Sequence, residues 1–312
     1  MIWKNFIDSE IKKLLIAKQN DIQYQNLNSK NLHSIFFKEI AEWLEFKKKI
    51  KFEKLLLLLH REIKSSDKKL IRNFISKRLK GLPKDRILGI VSFWNLKIKV
   101  NKHTLIPRPE TEELARITVE EIKKNREKIE LIEIGTGSGC LGLSVIKNIP
   151  QNPLTILTDI DSKALFLAQK NSIYNKLKSK KIKFLKSNLL SFIKKEKSII
   201  GSRKELFILA NLPYISKKEY TKLSLEVILH EPKKALIGGE KGDEIISRLI
   251  NQITDWILKK NPSKKITVFI EASPSTIPAI KKHAQKKKLF PIVETMTDLS
   301  GKKRFFKLKT MG

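Results

Sequence analysis

Two short stretches hold the residues best able to do chemistry. The first is Glu133-Ile134-Gly135-Thr136-Gly137-Ser138-Gly139-Cys140. It follows Ile129-Glu130-Leu131-Ile132, which reads as a buried parallel strand, and precedes Leu141-Gly142-Leu143-Ser144-Val145-Ile146, which reads as a helix start. A strand, a glycine turn and a helix form a unit that cradles a nucleotide. Glycines let the backbone approach a ligand and take positive φ, and the helix N-terminus turns N–H groups toward it. Dinucleotide-binding turns favour G-x-G-x-x-G. Here the spacing is G-x-G-x-G directly after an acid, a form that suits S-adenosylmethionine, where no pyrophosphate has to be held. Asp159 lies 20 residues past Gly139, at the end of Leu154-Thr155-Ile156-Leu157-Thr158. A carboxylate there can accept both ribose hydroxyls. An ordinary glycine turn of an α/β fold fits the loop as well.

The second stretch is Asn211-Leu212-Pro213-Tyr214, after the apolar run Leu206-Phe207-Ile208-Leu209-Ala210. The ligand crevice of an open α/β sheet lies at the carboxyl ends of its strands, which sets Asn211 beside the glycine loop. An sp² nitrogen that must attack a methyl sulfonium has a delocalised lone pair and is a poor nucleophile. Two carbonyls accepting from its N–H groups would orient it and favour attack. Asn211 supplies one from its side chain and residue 212 the other from its backbone. Pro213 stiffens the turn, and Tyr214 offers a flat face to a planar group. Asn and Pro are also common where a strand ends in a turn. His33, His60, His103, His230 and His283 are scattered without a second ligand at useful spacing, so no metal site is expected. No nucleophile–base pair is visible, and alignment can carry most of a methyl transfer.

These stretches need elements to hold them. From Ile129 onward strand-like and helix-like segments alternate, with strands expected at 129–134, 154–158, 182–185, 206–210, 266–271, 289–295 and 304–309. That pattern predicts a mainly parallel sheet covered on both faces. Residues 1–80 contain neither glycine nor proline, and apolar residues recur at helical spacing, as in Trp3, Phe6, Ile7, Ile11, Leu14 and Leu15. A small helical bundle is predicted, with Ser66 capping its last helix. Between bundle and sheet, residues 87–105 read as strands with a turn at Asn95, a connecting hairpin. In Leu105-Ile106-Pro107-Arg108-Pro109-Glu110-Thr111-Glu112-Glu113-Leu114 two prolines fix an extended segment before a helix that Thr111 can cap. The expected domains are a helical domain over 1–84, a hairpin over 85–106 and a catalytic domain over 107–312.

Composition sets outer limits. The 312 residues are 41% hydrophobic, enough for real cores, and no apolar run reaches the ~18–20 residues that span a bilayer. Cys140 is the single cysteine, which excludes an intrachain disulfide framework and, with no signal-peptide pattern, points to the cytoplasm. The net charge of +33 is spread along the chain as lysine, and arginine, the better bidentate donor, is scarce. It fits a polyanionic partner or a drift in composition. No stable nucleic-acid partner is predicted, although the basic surface could contact RNA.

From about Arg78 to Lys309 the sequence resembles the protein-(glutamine-N5) methyltransferases that modify peptide chain release factors. The most specific likeness is Leu105-Ile106-Pro107-Arg108-Pro109-Glu110-Thr111-Glu112. Others are Arg78 with Gly81 and Pro83, Ile87-Leu88-Gly89, Glu133 to Gly139, Asn211 to Tyr214, Glu231-Pro232 with Gly238-Gly239, and Asp298-Leu299-Ser300-Gly301 with Arg304. The resemblance implies a Rossmann-like, seven-stranded class I methyltransferase domain and a helical N-terminal domain that helps dock the release factor; a monomer is expected. It implies S-adenosylmethionine as cosubstrate and, as acceptor, the Gly-Gly-Gln glutamine amide of class I release factors. By position, Glu133, Gly135, Thr136, Gly137, Gly139, Asp159, Asn188 and Asn211 would serve the cosubstrate. Asn211, Leu212, Pro213 and Tyr214 would grip the amide, with Arg108 and Glu110 near the mouth of the site. The chain departs from the family at Leu212, where a proline is usual, and at Asn188, where an acid is. Glu271-Ala272-Ser273-Pro274-Ser275-Thr276 replaces Glu-x-Gly-x-x-Gln. A nucleic-acid base amine methyltransferase and a non-catalytic ribosome-binding or release-factor-binding module are the alternative readings.

Overall fold

The apolar runs from Ile129 onward become one seven-stranded sheet. In the computed structural model, which describes residues 1–19, 21, 24–124, 128–177, 181–195, 205–260 and 265–310, the strands are as follows. A hairpin is made of β1 (Ile90–Phe93) and β2 (Leu96–Lys99). Then come β3 (Ile129–Ile134), β4 (Leu154–Asp159), β5 (Ile182–Lys186), β6 (Glu205–Asn211), the short β7 (Ile215–Ser216) and β8 (Ile237–Gly239), β9 (Lys265–Glu271), β10 (Ile292–Thr297) and β11 (Lys303–Lys309). The sheet order is β10-β11-β9-β6-β3-β4-β5. Strands β5, β4, β3, β6 and β9 are parallel neighbours, and β11 runs antiparallel to β9 and β10.

The described residues divide into two units, Met1–Gly89 with Leu223–His230, and Ile90–Lys222 with Glu231–Gly312. In the second, the central strands are buried on both faces. Ile132, Ile134, Ile208, Ala210 and Val268 face one core, which includes Ile246, Ile250 and Ile253 of the helix Glu244–Lys260. Leu131, Phe207, Leu209 and Phe269 face another, with Leu114 and Val119 of the helix Pro109–Lys123 and Leu141 and Val145 of the helix Cys140–Asn148. Each fully buried side chain of this kind contributes about 1.5–3 kcal/mol.

The first unit is helical, built on Trp3–Lys18, Ser29–Lys48, Phe52–Leu58, Ser65–Leu79 and the short Lys84–Leu88. Phe6, Ile11, Phe36, Trp43 and Phe74 are among its core residues, and Trp43 stacks on Phe74 with ring centroids 5.6 Å apart. Arg78, only 1% exposed, lies inside. Its Nε donates to Glu39 (2.8 Å), and its Nη1 donates to Glu226 (3.0 Å) and to the Leu82 carbonyl. Burial raises the Glu39 carboxyl while the Arg78 charge opposes that rise.

Two expected caps are corrected. Lys64 is the extended residue before the helix Ser65–Leu79, so Ser66 lies within the first turn and caps nothing. Likewise Arg108 precedes the helix Pro109–Lys123. Pro109 at the first helical position pre-sets φ and starts the helix two residues before Thr111. Thr111 is thereby freed for another contact.

Candidate active site

The carboxyl ends of β3, β4 and β6 open on a cavity of about 260 Å³. It is lined by Gly135, Gly137, Asp159, Asn188, Asn211, Leu212 and Pro213, so the glycine turn, the Asp159 carboxylate and the Asn-Leu-Pro turn share one site.

The glycine turn is held from below. Gly135, Gly137 and Gly139 have φ of +72°, +54° and +83°, a region that L side chains rarely adopt. Thr136 donates its hydroxyl to Glu133 (2.5 Å) and its N–H to the Thr158 carbonyl (2.8 Å). Glu133 and Thr136 are buried and do not line the cavity. Burial pushes the Glu133 carboxyl up to about 8, against hydrogen bonds from Thr136 and the Gly142 N–H. Gly139 also lies off the cavity, where a Cβ would sit 2.9 Å from Leu143 and 3.1 Å from Ala168.

Asp159 tightens the turn from β4. Its two oxygens accept from the N–H groups of Gly137 and Asp161, both at 2.8 Å. Burial raises its carboxyl and the two backbone donors hold it down. Each oxygen keeps acceptor capacity for a ligand hydroxyl. A Cβ on Gly137 would meet nothing within 4 Å, so the turn presents bare backbone to open space. That cradle and Asp159 fit a nucleoside-bearing cosubstrate. At the far side, exposed Asn188 accepts from Arg248 Nη2 at 3.3 Å.

Leu212 stands where the family resemblance has proline, and packing replaces the ring. It is 5% exposed and belongs to the core that holds Ile134 and Ala210. Its Cδ2 occupies the space a Gly135 Cβ would need, 2.7 Å from that position. Behind the turn, a Cβ on Gly238 would strike the Pro213 carbonyl and one on Gly242 the Tyr214 carbonyl, so these glycines let the backbones close together.

Three further polar residues, two of them missed in the sequence, fix Asn211. Its Nδ2 donates to Thr111 Oγ1 (2.9 Å), and Thr111 donates to Glu271 Oε2 (2.7 Å). Tyr214 donates its hydroxyl to Glu271 Oε1 (3.3 Å). The sequence offers Thr111 only as a cap and Glu271 only as the first residue of a segment that departs from the family pattern, while Tyr214 points its hydroxyl at Glu271 and does not line the cavity. The Asn211 carbonyl oxygen is thus the end of the side chain left for a ligand.

Arg108 and Glu110 do not line the cavity either. Glu231, buried, accepts from the Ile106 N–H (3.2 Å) and from Arg108 Nη2 (3.4 Å), locking the proline-flanked segment. Glu110 lies 3.7 Å from Arg304, which also donates to Asp298 (2.9 Å). Hydrogen bonds from Ser300 and Arg304 hold Asp298 well below the usual carboxylate range.

No group of three or more potential metal-ligating side chains occurs among the described residues. No helix among them is long and apolar enough to cross a membrane.

The chain is similar to known proteins over most of its length. A family model described as the methyltransferase small domain matches residues 109–242. The release factor glutamine methyltransferase of Borreliella burgdorferi is 35% identical over 266 residues, covering 84% of this chain and 85% of that one. That of Streptococcus pneumoniae is 31% identical over 273 residues, covering 85% and 90%. That of Rhodopirellula baltica is 30% identical over 241 residues, covering 76% and 77%. Among solved structures, the human hMettl16 catalytic domain in complex with MAT2A 3′UTR hairpin 1 superposes with a TM-score of 0.50 at 17% identity, over 88% of this chain and 90% of that one, a likeness of fold. With 30–35% identity across more than three quarters of such relatives, the chain belongs to the release factor glutamine methyltransferase family.

Proposed function

We propose that this methyltransferase moves the methyl group of S-adenosylmethionine onto the side-chain amide nitrogen (N5) of the glutamine in the Gly-Gly-Gln motif of class I peptide chain release factors. The observation that carries the reading is the shared cavity. An asparagine with its carbonyl turned out and a carboxylate bound to the glycine turn line the same space.

S-adenosylmethionine would supply an electrophilic methyl carbon, and everything else falls to this chain. Asp159 takes the ribose hydroxyls. Gly135 and Gly137 let the backbone lie against the cosubstrate, and Asn188 with Arg248 borders its far end. Asn211 Oδ1 and the Leu212 carbonyl accept the two N–H groups of the acceptor amide and turn its nitrogen toward the methyl carbon. As the nitrogen gains the methyl the methyl–sulfur bond breaks, and one of the two N–H protons passes to water; both carbonyls gain strength as positive charge develops on that nitrogen, so they favour the transition state over the ground state. Pro213 and the buried Leu212 hold the two oxygens at fixed spacing. Arg108 and Glu110 flank the approach of the Gly-Gly-Gln loop, and the helical unit contacts the body of the release factor. The enzyme acts as a monomer in the cytoplasm.

The decisive test uses tritiated S-adenosylmethionine with recombinant release factor. Label is expected on the wild-type factor and absent from a Gly-Gly-Ala variant. Label on RNA in place of the factor, or equal label on both factors, would overturn the reading.

A further inference from the structure

An asparagine amide fits its pocket in two orientations that differ only in where the oxygen and the NH2 group lie. One presents a carbonyl to the acceptor amide. The other presents an NH2 group, which repels the acceptor's own N–H groups. Something must choose between them.

The choice is made behind the cavity, by residues that do not line it. Thr111 and Glu271 are each 1% exposed. Asn211 Nδ2, Thr111 Oγ1 and Glu271 Oε2 form a chain of 2.9 and 2.7 Å hydrogen bonds, and Tyr214 closes on the second Glu271 oxygen at 3.3 Å. Both Glu271 oxygens serve as acceptors, Oε2 for the Thr111 hydroxyl and Oε1 for the Tyr214 hydroxyl, and a hydroxyl carries one proton. Tied to Glu271, that proton is not available to Asn211. Thr111 can offer Asn211 only a lone pair, and Asn211 must answer with its NH2 group. The carbonyl is left facing the cavity.

We infer that Thr111 and Glu271 are positioning residues that set the polarity of the Asn211 amide for methyl transfer. The inference rests on the reading of Asn211 as the residue that grips the acceptor. Burial raises the Glu271 carboxyl, while the Thr111 and Tyr214 hydroxyls and the Arg304 charge pull it back. A glutamine at 271 is nearly isosteric but can donate. Thr111 could then turn its proton to Asn211, and the amide would reverse.

The test uses the full chain with Thr111→Val, Thr111→Ser, Glu271→Gln and Asn211→Ala. Methyl transfer to release factor, calorimetric binding of S-adenosylmethionine and thermal melting are measured for each. Thr111→Val and Glu271→Gln are expected to lower kcat by about 10²-fold, the scale of losing an oriented donor or acceptor. Their cosubstrate Kd should stay within roughly threefold of wild type, since neither residue lines the cavity, and Thr111→Ser should restore most of kcat. If Thr111→Val and Glu271→Gln both keep kcat while Asn211→Ala loses it, the relay is wrong and the reading of Asn211 stands. If Asn211→Ala itself transfers methyl normally, that reading fails first. A loss of kcat matched by equal loss of cosubstrate binding and not rescued by Thr111→Ser would mark a packing role and overturn the inference. Should Thr111→Val fail to fold, Glu271→Gln decides alone.

Discussion

Glu133 carries its carboxyl into the floor of the glycine turn, and its burial has a measurable cost in alkali. With the folded-state value pushed up to about 8 from an ordinary 4.5, the folded protein keeps a proton that the unfolded chain releases. Stability from this group is complete below about pH 4.5, declines as pH rises toward 8, and levels off above it. Glu133→Gln should flatten that decline, seen as a smaller drop in Tm between pH 5 and 8. An unchanged pH profile in the variant would show that Glu133 does not titrate there. Next to it, a Cβ on Gly142 would run into Glu133 Oε2 and come within 2.6 Å of Leu157. Gly142→Ala is therefore expected to destabilise by about 1–3 kcal/mol, read by denaturant unfolding. Asn211→Ala belongs at this scale too. It should abolish transfer and largely spare cosubstrate affinity, whereas Asp159→Ala should weaken that affinity. Equal losses of affinity in the two variants would end the assignment of Asn211 to the acceptor.

Among the elements, the helices Ser29–Lys48 and Ser65–Leu79 are joined by Arg78 and Glu39, and the same guanidinium holds Glu226. Removing Arg78 takes the guanidinium from half-buried Glu39 and from buried Glu226, which keeps Lys18 at 3.3 Å. Arg78→Ala should cost about 3–5 kcal/mol, whereas an apolar residue of similar volume, as in Arg78→Met, should cost less if Glu39 and Glu226 are neutralised with it. Fluorescence of Trp3 and Trp43, both in this unit, reports the change. The strands were largely legible in advance, because fully buried parallel strands are written as continuous apolar runs such as Leu206 to Ala210. Helix starts were less so. Ser66 and Thr111 have the right side chains for a cap, but the backbone turns helical before it reaches them. The glycine turn and Asn211 were readable because they are contiguous motifs. The Thr111–Glu271 pair was not, since 160 residues separate partners that only the fold brings together.

For the whole molecule, the charge of +33 should act through its counterions. Mixed-sequence RNA is expected to bind weakly at 50 mM salt and to be lost by 200 mM, as non-specific phosphate contacts are, while methyl transfer to release factor survives the same change. Fluorescence anisotropy measures the first and tritium transfer the second. RNA retained at 200 mM would mean a dedicated nucleic-acid surface.

The placement of Leu223–His230 in the helical unit matters most during synthesis. A nascent chain that has left the ribosome as far as Gly89 still lacks Glu226, so Arg78 is short of one of its carboxylates until residues 90–226 have also been made. At roughly 5–20 residues per second that wait is on the order of ten seconds. The N-terminal helices thus emerge first but are completed late. A fragment cut after Gly89 would carry a permanent gap in its polar interior, and chaperones would meet it as an unfinished fold.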